Sequence, residues 1–310
     1  MKRFALYTLA LAAALPLWPV TAASPTPPPP SLGTVGSSGN NIPINFTIVP
    51  GKFIVSKHNG PVQRYFLYNV APGQSVSDIA AIGNTSNTTL TVRLTTSDAL
   101  TPPQGGGIAF NKGSNQRTIG RWLAVNAGNT SISIPSKSYA LVGLTLRVPS
   151  SVVPGQYIGA INGINARIAK IKRGQHTFNI SGVVSCLVFL RVQGRASAGL
   201  KIGTVAIGHL SGHTLLMMHL QNTGTLIDQP IVTLRFVGGG LTRPIVASAA
   251  LSEILGMSAT TEQLSIERFI HTAGTYQVHI DIANQVRLSE TAPPTVTHLS
   301  WDGPLVVPGG

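Results

Sequence analysis

Beyond residue 42 the chain is dominated by short runs in which apolar and polar side chains alternate, broken by Gly, Pro and Asn. Alternation with period two puts successive side chains on opposite faces of an extended chain, so each run predicts a strand with one buried face. In 89–94, Leu90, Val92 and Leu94 point one way and Thr89, Thr91 and Arg93 the other. Val142, Leu144, Leu146 and Val148 share the core side of a strand whose outer side carries Thr145 and Arg147. Further strands are expected at 44–49, 62–70, 131–134 and 156–161. From 183 to 192 both sides are apolar: Val184, Cys186, Val188 and Leu190 on one, Val183, Leu187 and Phe189 on the other. Such a strand is central in its sheet or covered by a neighbour.

The second half repeats the design. Leu216, Met218 and Leu220, then Val232, Leu234 and Phe236, then Tyr276, Val278, Ile280 and Ile282 form inward sets, the last leaving Gln277, His279 and Asp281 outside. One stretch reads differently. In 246–255, Val246, Ala250 and Ile254 are spaced by four and Gly256 follows as a cap, which predicts a helix. A weak internal repeat supports two units. Asn84-Thr85-Ser86 and Asn222-Thr223-Gly224 each precede a strand, and Pro154-Gly155-Gln156-Tyr157 has a counterpart in Ala273-Gly274-Thr275-Tyr276. A tight turn feeding a strand with a tyrosine near its start is a corner that β-sandwiches use. The predicted fold is all-β, two tandem immunoglobulin-like sandwiches spanning 43–195 and 196–285, with a boundary in 194–199 and a mixed, proline-bearing tail over 286–310.

The first 42 residues break this pattern. Lys2 and Arg3 precede an apolar run containing Leu6, Leu9, Leu11, Leu15 and Trp18, followed by Thr21, Ala22, Ala23 and Ser24. This is the layout of a secretory signal peptide over 1–23, cleaved after Ala22 or Ala23. Pro16 and Pro19 and the short length argue against a permanent span, and no later segment is apolar enough for one, so a mature chain without a transmembrane segment is expected. Residues 24–42, SPTPPPPSLGTVGSSGNNI, read as an extended linker with too few apolar side chains for a core.

Charge then separates the halves. Only 10% of residues are charged, and the net charge is +13. Between 42 and 195 fifteen Lys and Arg face only Asp78 and Asp98, whereas 196–310 carries five basic residues against seven acidic ones. The first unit therefore supplies a positive field suited to polyanions. Export excludes nucleic acid as the partner and leaves wall polymers or acidic headgroups. A single cysteine, Cys186 in an apolar run, allows no internal disulfide and no paired-cysteine zinc site.

Ordered short motifs in the first unit resemble a known family. Tyr68-Asn69-Val70-Ala71-Pro72-Gly73-Gln74-Ser75, the segment around Asn84-Thr85-Ser86-Asn87, Gly105-Gly106-Gly107-Ile108-Ala109-Phe110 and Arg121-Trp122-Leu123 come in sequence. Leu144-Thr145-Leu146-Arg147-Val148-Pro149 and the run from Val153 through Pro154-Gly155-Gln156-Tyr157 to Ile161 follow. Together they are similar to the peptidoglycan-binding domain of the WxL-interacting proteins of Gram-positive bacteria, over about 43–195. The resemblance implies an immunoglobulin-like sandwich, a second similar domain, noncovalent attachment to the wall and docking of a surface protein. The chain departs from that family in lacking a C-terminal membrane helix and basic tail.

Two groups are candidates for a polyanion site. Arg167, Lys170, Lys172 and Arg173, with His176 close behind, fall between two strands and could straddle phosphates or carboxylates; the alternative is a solvated hairpin guarded by its lysines against edge pairing. Arg121 and Trp122 follow a glycine-rich loop with Lys112 and Arg117, where the indole could stack on a sugar or else pack between the sheets. His209, His213, His219, His271 and His279 crowd the second unit, and His219 with His279 could share a metal only if their strands pair; without fixed ligand spacing no metal site is assigned. No G-x-S-x-G, H-E-x-x-H or P-loop pattern occurs, and the basic unit has too few carboxylates for an acid/base pair. The sequence thus points to a secreted, wall-associated binding protein without cofactor or catalysis. The first alternative is a periplasmic assembly factor resembling pilus chaperones, which also join two immunoglobulin-like domains and lend a strand to a subunit. The second is a structural spacer.

Overall fold

The computed structural model describes residues 45–308 apart from 53–63, 106, 112, 127–130, 167–168, 174–175, 211, 268, 271 and 288–292. The expected leader and linker lie outside the described residues. The protein is all-β, with two immunoglobulin-like sandwiches in tandem.

In the first, β1 (Phe46–Pro50), β3 (Ser75–Asn84), β8 (Tyr139–Arg147) and β6 (Leu123–Val125) form one sheet in that order. The facing sheet runs β2 (Phe66–Val70), β12 (Val183–Val192), β9 (Gly155–Asn165) and β4 (Leu90–Leu100), and both β5 (Ala109–Phe110) and β7 (Ser131–Ile134) pair with β4. All pairs are antiparallel except β2 with β12. The chain changes sheets between β1 and β2, so its leading segment closes an edge of each. The alternation seen in sequence sets which side is buried: Val142, Leu144 and Leu146 of β8 are in the core, while Tyr139 and Leu141 are exposed. Phe66, Ile82, Leu94, Ile161 and Leu190 fill the space between the sheets. A single helical turn, α1 (Ile119–Trp122), packs Ile119 into the same core. It sits so close over Gly159 that a Cβ there would collide with Ile119 and the Ser97 carbonyl.

The second sandwich pairs the sheet β13 (Leu200–Leu210), β14 (His213–Asn222), β17 (Ser258–Ser265) with the sheet β16 (Ile245–Ala250), β15 (Gln229–Gly238), β18 (Gly274–Val286), β19 (Thr295–Val307). Its separate core is built from Leu216, Met218, Leu220, Val232, Leu234, Phe236, Tyr276, Ile280 and Ile282. Residues 193–199 connect the two cores.

Two expectations are corrected here. The helix expected over 246–255 is instead strand β16, paired with β15 from Ile231↔Ala250 to Phe236↔Ile245. The spacing of four was incidental, and the true period is two, with Ile245, Ala247 and Ala249 partly buried against exposed Val246, Ser248 and Ala250. The tail expected over 286–310 contains β19, which follows β18 over thirteen residue pairs. Its apolar positions are few, and Pro304 suggested irregular chain. As an edge strand it has one ladder only, where a missing N–H is tolerated.

The internal repeat has a structural counterpart. Asn84 and Asn222 are both buried, and each side-chain amide donates to the carbonyl four residues on, Thr88 or Leu226, and to a distant one, Ile134 or Ile254. Each Oδ1 accepts from the backbone N–H two residues on, Ser86 or Gly224. Likewise the hydroxyls of Tyr157 and Tyr276 donate to the carbonyls four residues upstream, Val153 and Thr272. These are the tyrosine corners of the two sandwiches.

Candidate functional site

The side of β12 turned from the core carries Val183, Ser185, Leu187, Phe189 and Arg191, because Cys186, Val188, Leu190 and Val192 point inward. Val183 is 46% exposed, and Leu67 on neighbouring β2 is 40% exposed. Tyr65 meets Phe189 edge to face at 5.3 Å. The result is an apolar stripe on a sheet surface in a chain whose exterior is otherwise rich in hydroxyl and amide groups.

The same strand also offers backbone. β9 pairs all of β12, but β2 takes only Val188–Val192 on the other side. Before β2, the Arg64 carbonyl lies 3.4 Å from the Cys186 thiol. Among the described residues nothing pairs Val183–Ser185 on that side. From Val183, β12 runs to Val192, with Arg191 opposite Asn69 and Gln156. Gln156 holds the junction: its N–H donates to Thr225 O at 2.9 Å, its Oε1 accepts from Ile227 N at 2.8 Å and its Nε2 donates to Arg287 O at 2.9 Å. A second contact joins the loop after β4 to β17, where Thr261 N donates to Pro103 O and Gly105 N to Thr261 O. Arg191 therefore lies beside a fixed angle between two bodies. Its Nη1 is buried without a hydrogen-bond partner, and desolvation lowers its pKa from the usual guanidinium value. Arginine keeps its proton regardless, so this half-buried guanidinium carries a positive charge with one N–H side, at Nη1, left without an acceptor, which an anion would satisfy.

The sequence candidates fall in two separate places. Lys170, Lys172 and Arg173 are on β10 (Ala169–Arg173), whose partner β11 (His176–Ile180) sets them opposite Asn179, Thr177 and His176; Arg167 lies outside the described residues. This hairpin continues from the far ends of β9 and β12. Arg121 and Trp122 are in α1, with Trp122 in edge-to-face contact with Tyr157 at 5.2 Å, near the start of β9. The eight residue steps of β9 from Tyr157 to Asn165 separate the two groups by about 25 Å, so they do not form one site. Trp122 is partly buried against the first core, yet it also lines a surface cavity of about 450 Å³ with Arg117, Arg121 and Arg147.

In the second sandwich, His219 is on β14 and His279 on β18, strands of opposite sheets, so they cannot share a metal. His279 instead pairs with Asp302 at 2.7 Å, and no group of three or more potential metal ligands occurs among the described residues. No helix among them is long and apolar enough to cross a membrane. Arg191 was missed in the sequence although it is the one charged residue of an apolar strand, a signal that period counting passes over.

No protein-family model matches the chain, and no curated protein matches it. Solved structures similar to it include the class 5 fimbriae chaperone CfaA, at 10% identity and a TM-score of 0.42, covering 82% of this chain and 98% of that one. The chaperone-tip subunit pre-assembly complex CsuC–CsuE of Acinetobacter baumannii matches at 12% identity, a TM-score of 0.37 and coverages of 82% and 97%. The Pseudomonas aeruginosa CupB2 chaperone matches at 8%, 0.33 and coverages of 76% and 96%. At these identities and scores the overlap assigns no function to this chain.

Proposed function

We propose that the protein is an exported, non-enzymatic assembly factor that pairs an extended segment of a partner polypeptide with the Val183–Ser185 end of β12 and lays the rest of it over the outer face of that strand, with a carboxylate of the segment on Arg191. The observation that carries this reading is the course of β12: an apolar stripe of Val183, Leu187 and Phe189 leads to the half-buried Arg191, whose Nη1 has no hydrogen-bond partner. Side chains two residues apart on one strand match the spacing of alternate side chains on a second strand, so strand addition supplies affinity through the backbone and selectivity through the stripe. The half-buried Arg191 fixes where the segment ends. Among the expectations from sequence, this is the strand-lending assembly factor. The wall-polymer reading has less support, since its two basic groups lie apart.

The test is binding of a synthetic peptide of roughly nine residues, one strand in length, alternating Thr and Val. It is prepared with a free and with an amidated C-terminus. The free acid should bind at least about tenfold more tightly, the scale of one charge-assisted hydrogen bond, and Arg191→Ala should abolish the difference. Equal binding of both peptides by the wild-type chain would remove Arg191 from the site, and no binding of either would reject the strand-addition reading.

A further inference from the structure

Arg117, Arg121 and Arg147 converge from three elements on the cavity that Trp122 lines: the loop before α1, α1 itself and the end of β8. The remaining wall is Ala124, Pro149, Ser151 and Val152, and no carboxylate borders it among the described residues. All three arginines are exposed, so their guanidiniums are available at the rim. The loop that presents Arg117 and Arg121 is fixed rather than loose. The Asp98 carboxylate accepts from the backbone N–H groups of Arg117, Thr118 and Gly120 and from the Thr118 hydroxyl. Gln116 adds bonds to Asp98 N and to the carbonyls of Asn111 and Gly113. A carboxylate with four donors fixes the backbone that carries two arginines beside a third on a strand, so only the side chains have to order on binding.

We infer that this cavity is a binding site for an anionic saccharide, distinct from β12 and able to act without it. Guanidinium forks match the oxygen pairs of sulfate, phosphate and carboxylate groups, and three of them around one opening select a ligand with more than one acid group. The Trp122 indole, with Val152 and Pro149, gives the floor an apolar side, which a sugar ring covers and a bare inorganic ion does not. The volume of about 450 Å³ is in the range of small-molecule sites.

Isothermal titration of the full chain with a sulfated disaccharide, inorganic pyrophosphate and unsulfated cellobiose separates these contributions. The sulfated disaccharide should bind most tightly, pyrophosphate about tenfold or more weaker, and cellobiose not measurably. Arg147→Ala and Arg121→Ala should each weaken the sulfated ligand by about tenfold, and Arg147→Lys, which keeps the charge and loses the fork, should recover only part. Lys201→Ala, an exposed cation of the second sandwich, should change nothing. Equal loss in Lys201→Ala and Arg147→Ala would mean that the ligand senses only net charge, and unchanged affinity in all the arginine variants would place it elsewhere; either result overturns the inference. Arg191→Ala should leave this binding intact, so failure here and failure at β12 are separate outcomes.

Discussion

Asn284 Nδ2 donates to Asp228 Oδ1 at 2.7 Å inside the second sandwich, and the two oxygens left over, Asp228 Oδ2 and Asn284 Oδ1, have no partner. Both are acceptors while Asp228 is ionised. A proton on Oδ2 would turn it into a donor and complete a two-bond pair between acid and amide. Burial pushes Asp228 up to about 6, opposed by the Asn284 bond, and both residues are fully buried.

The sign of the resulting pH dependence follows from linkage. Between an unfolded value near 4 and a folded value of about 6, the native state holds more protons, so stability is greatest at the acid end and falls as pH rises through that window. The loss amounts to about 3 kcal/mol. Asp228→Asn supplies the missing donor at every pH. It should stabilise the chain by about that amount at pH 7 and by little at pH 4. Urea denaturation of both proteins across this range measures the difference, and a gap that does not change with pH would contradict the protonation account.

Asp98 has the opposite role, a carboxylate whose oxygens are enclosed by donors. Asp98→Asn places N–H groups against N–H groups in the loop before α1. It should cost about 2–4 kcal/mol, and it should weaken the sulfated disaccharide because Arg117 and Arg121 lose their support. Melting temperature and titration on the same preparation check both effects.

Gly155 opens β9 where the sandwiches meet. A Cβ at this residue would run into the backbone oxygen and Cβ of Thr225. Gly155→Ala should therefore displace the Gln156 bonds to Thr225 and Ile227 and open the angle between the two bodies, while each core stays intact. A larger radius of gyration with unchanged circular dichroism is the expected pair of results.

Cys186 is buried and its thiol is pushed up to about 12 by desolvation. Thiolate is the reactive form, so the native chain should resist a thiol reagent at pH 8 and react at once when unfolded in guanidinium. Prompt reaction in the native state would show β12 opening locally.

Most of the strand pattern is legible from alternation because one side of each strand is packed, as in Leu90, Val92 and Leu94 or Tyr276, Val278 and Ile280. Legibility fails at the edges. β16 and β19 each pair on one side only, so their packing demand is weaker and residues such as Val246 or Pro304 obscure the period. The candidate sites show the same limit. Arg121 and Trp122 stand out locally, but Arg117 and Arg147 join them only through the fold, 26 residues of chain separating Arg121 from Arg147. Arg191 is visible as a lone charge, yet the burial of its Nη1 without an acceptor is set by the fold and not by the strand's own sequence.

Hydrogen exchange of β12 in the full chain, with and without the free-acid Thr/Val peptide, tests the central claim most directly. Strand addition predicts that amides of Val183–Ser185 pointing away from β9 exchange rapidly in the free protein and become protected on binding, with those of β16 unchanged. Protection of these amides before any peptide is added, or binding that leaves their exchange untouched, would contradict it.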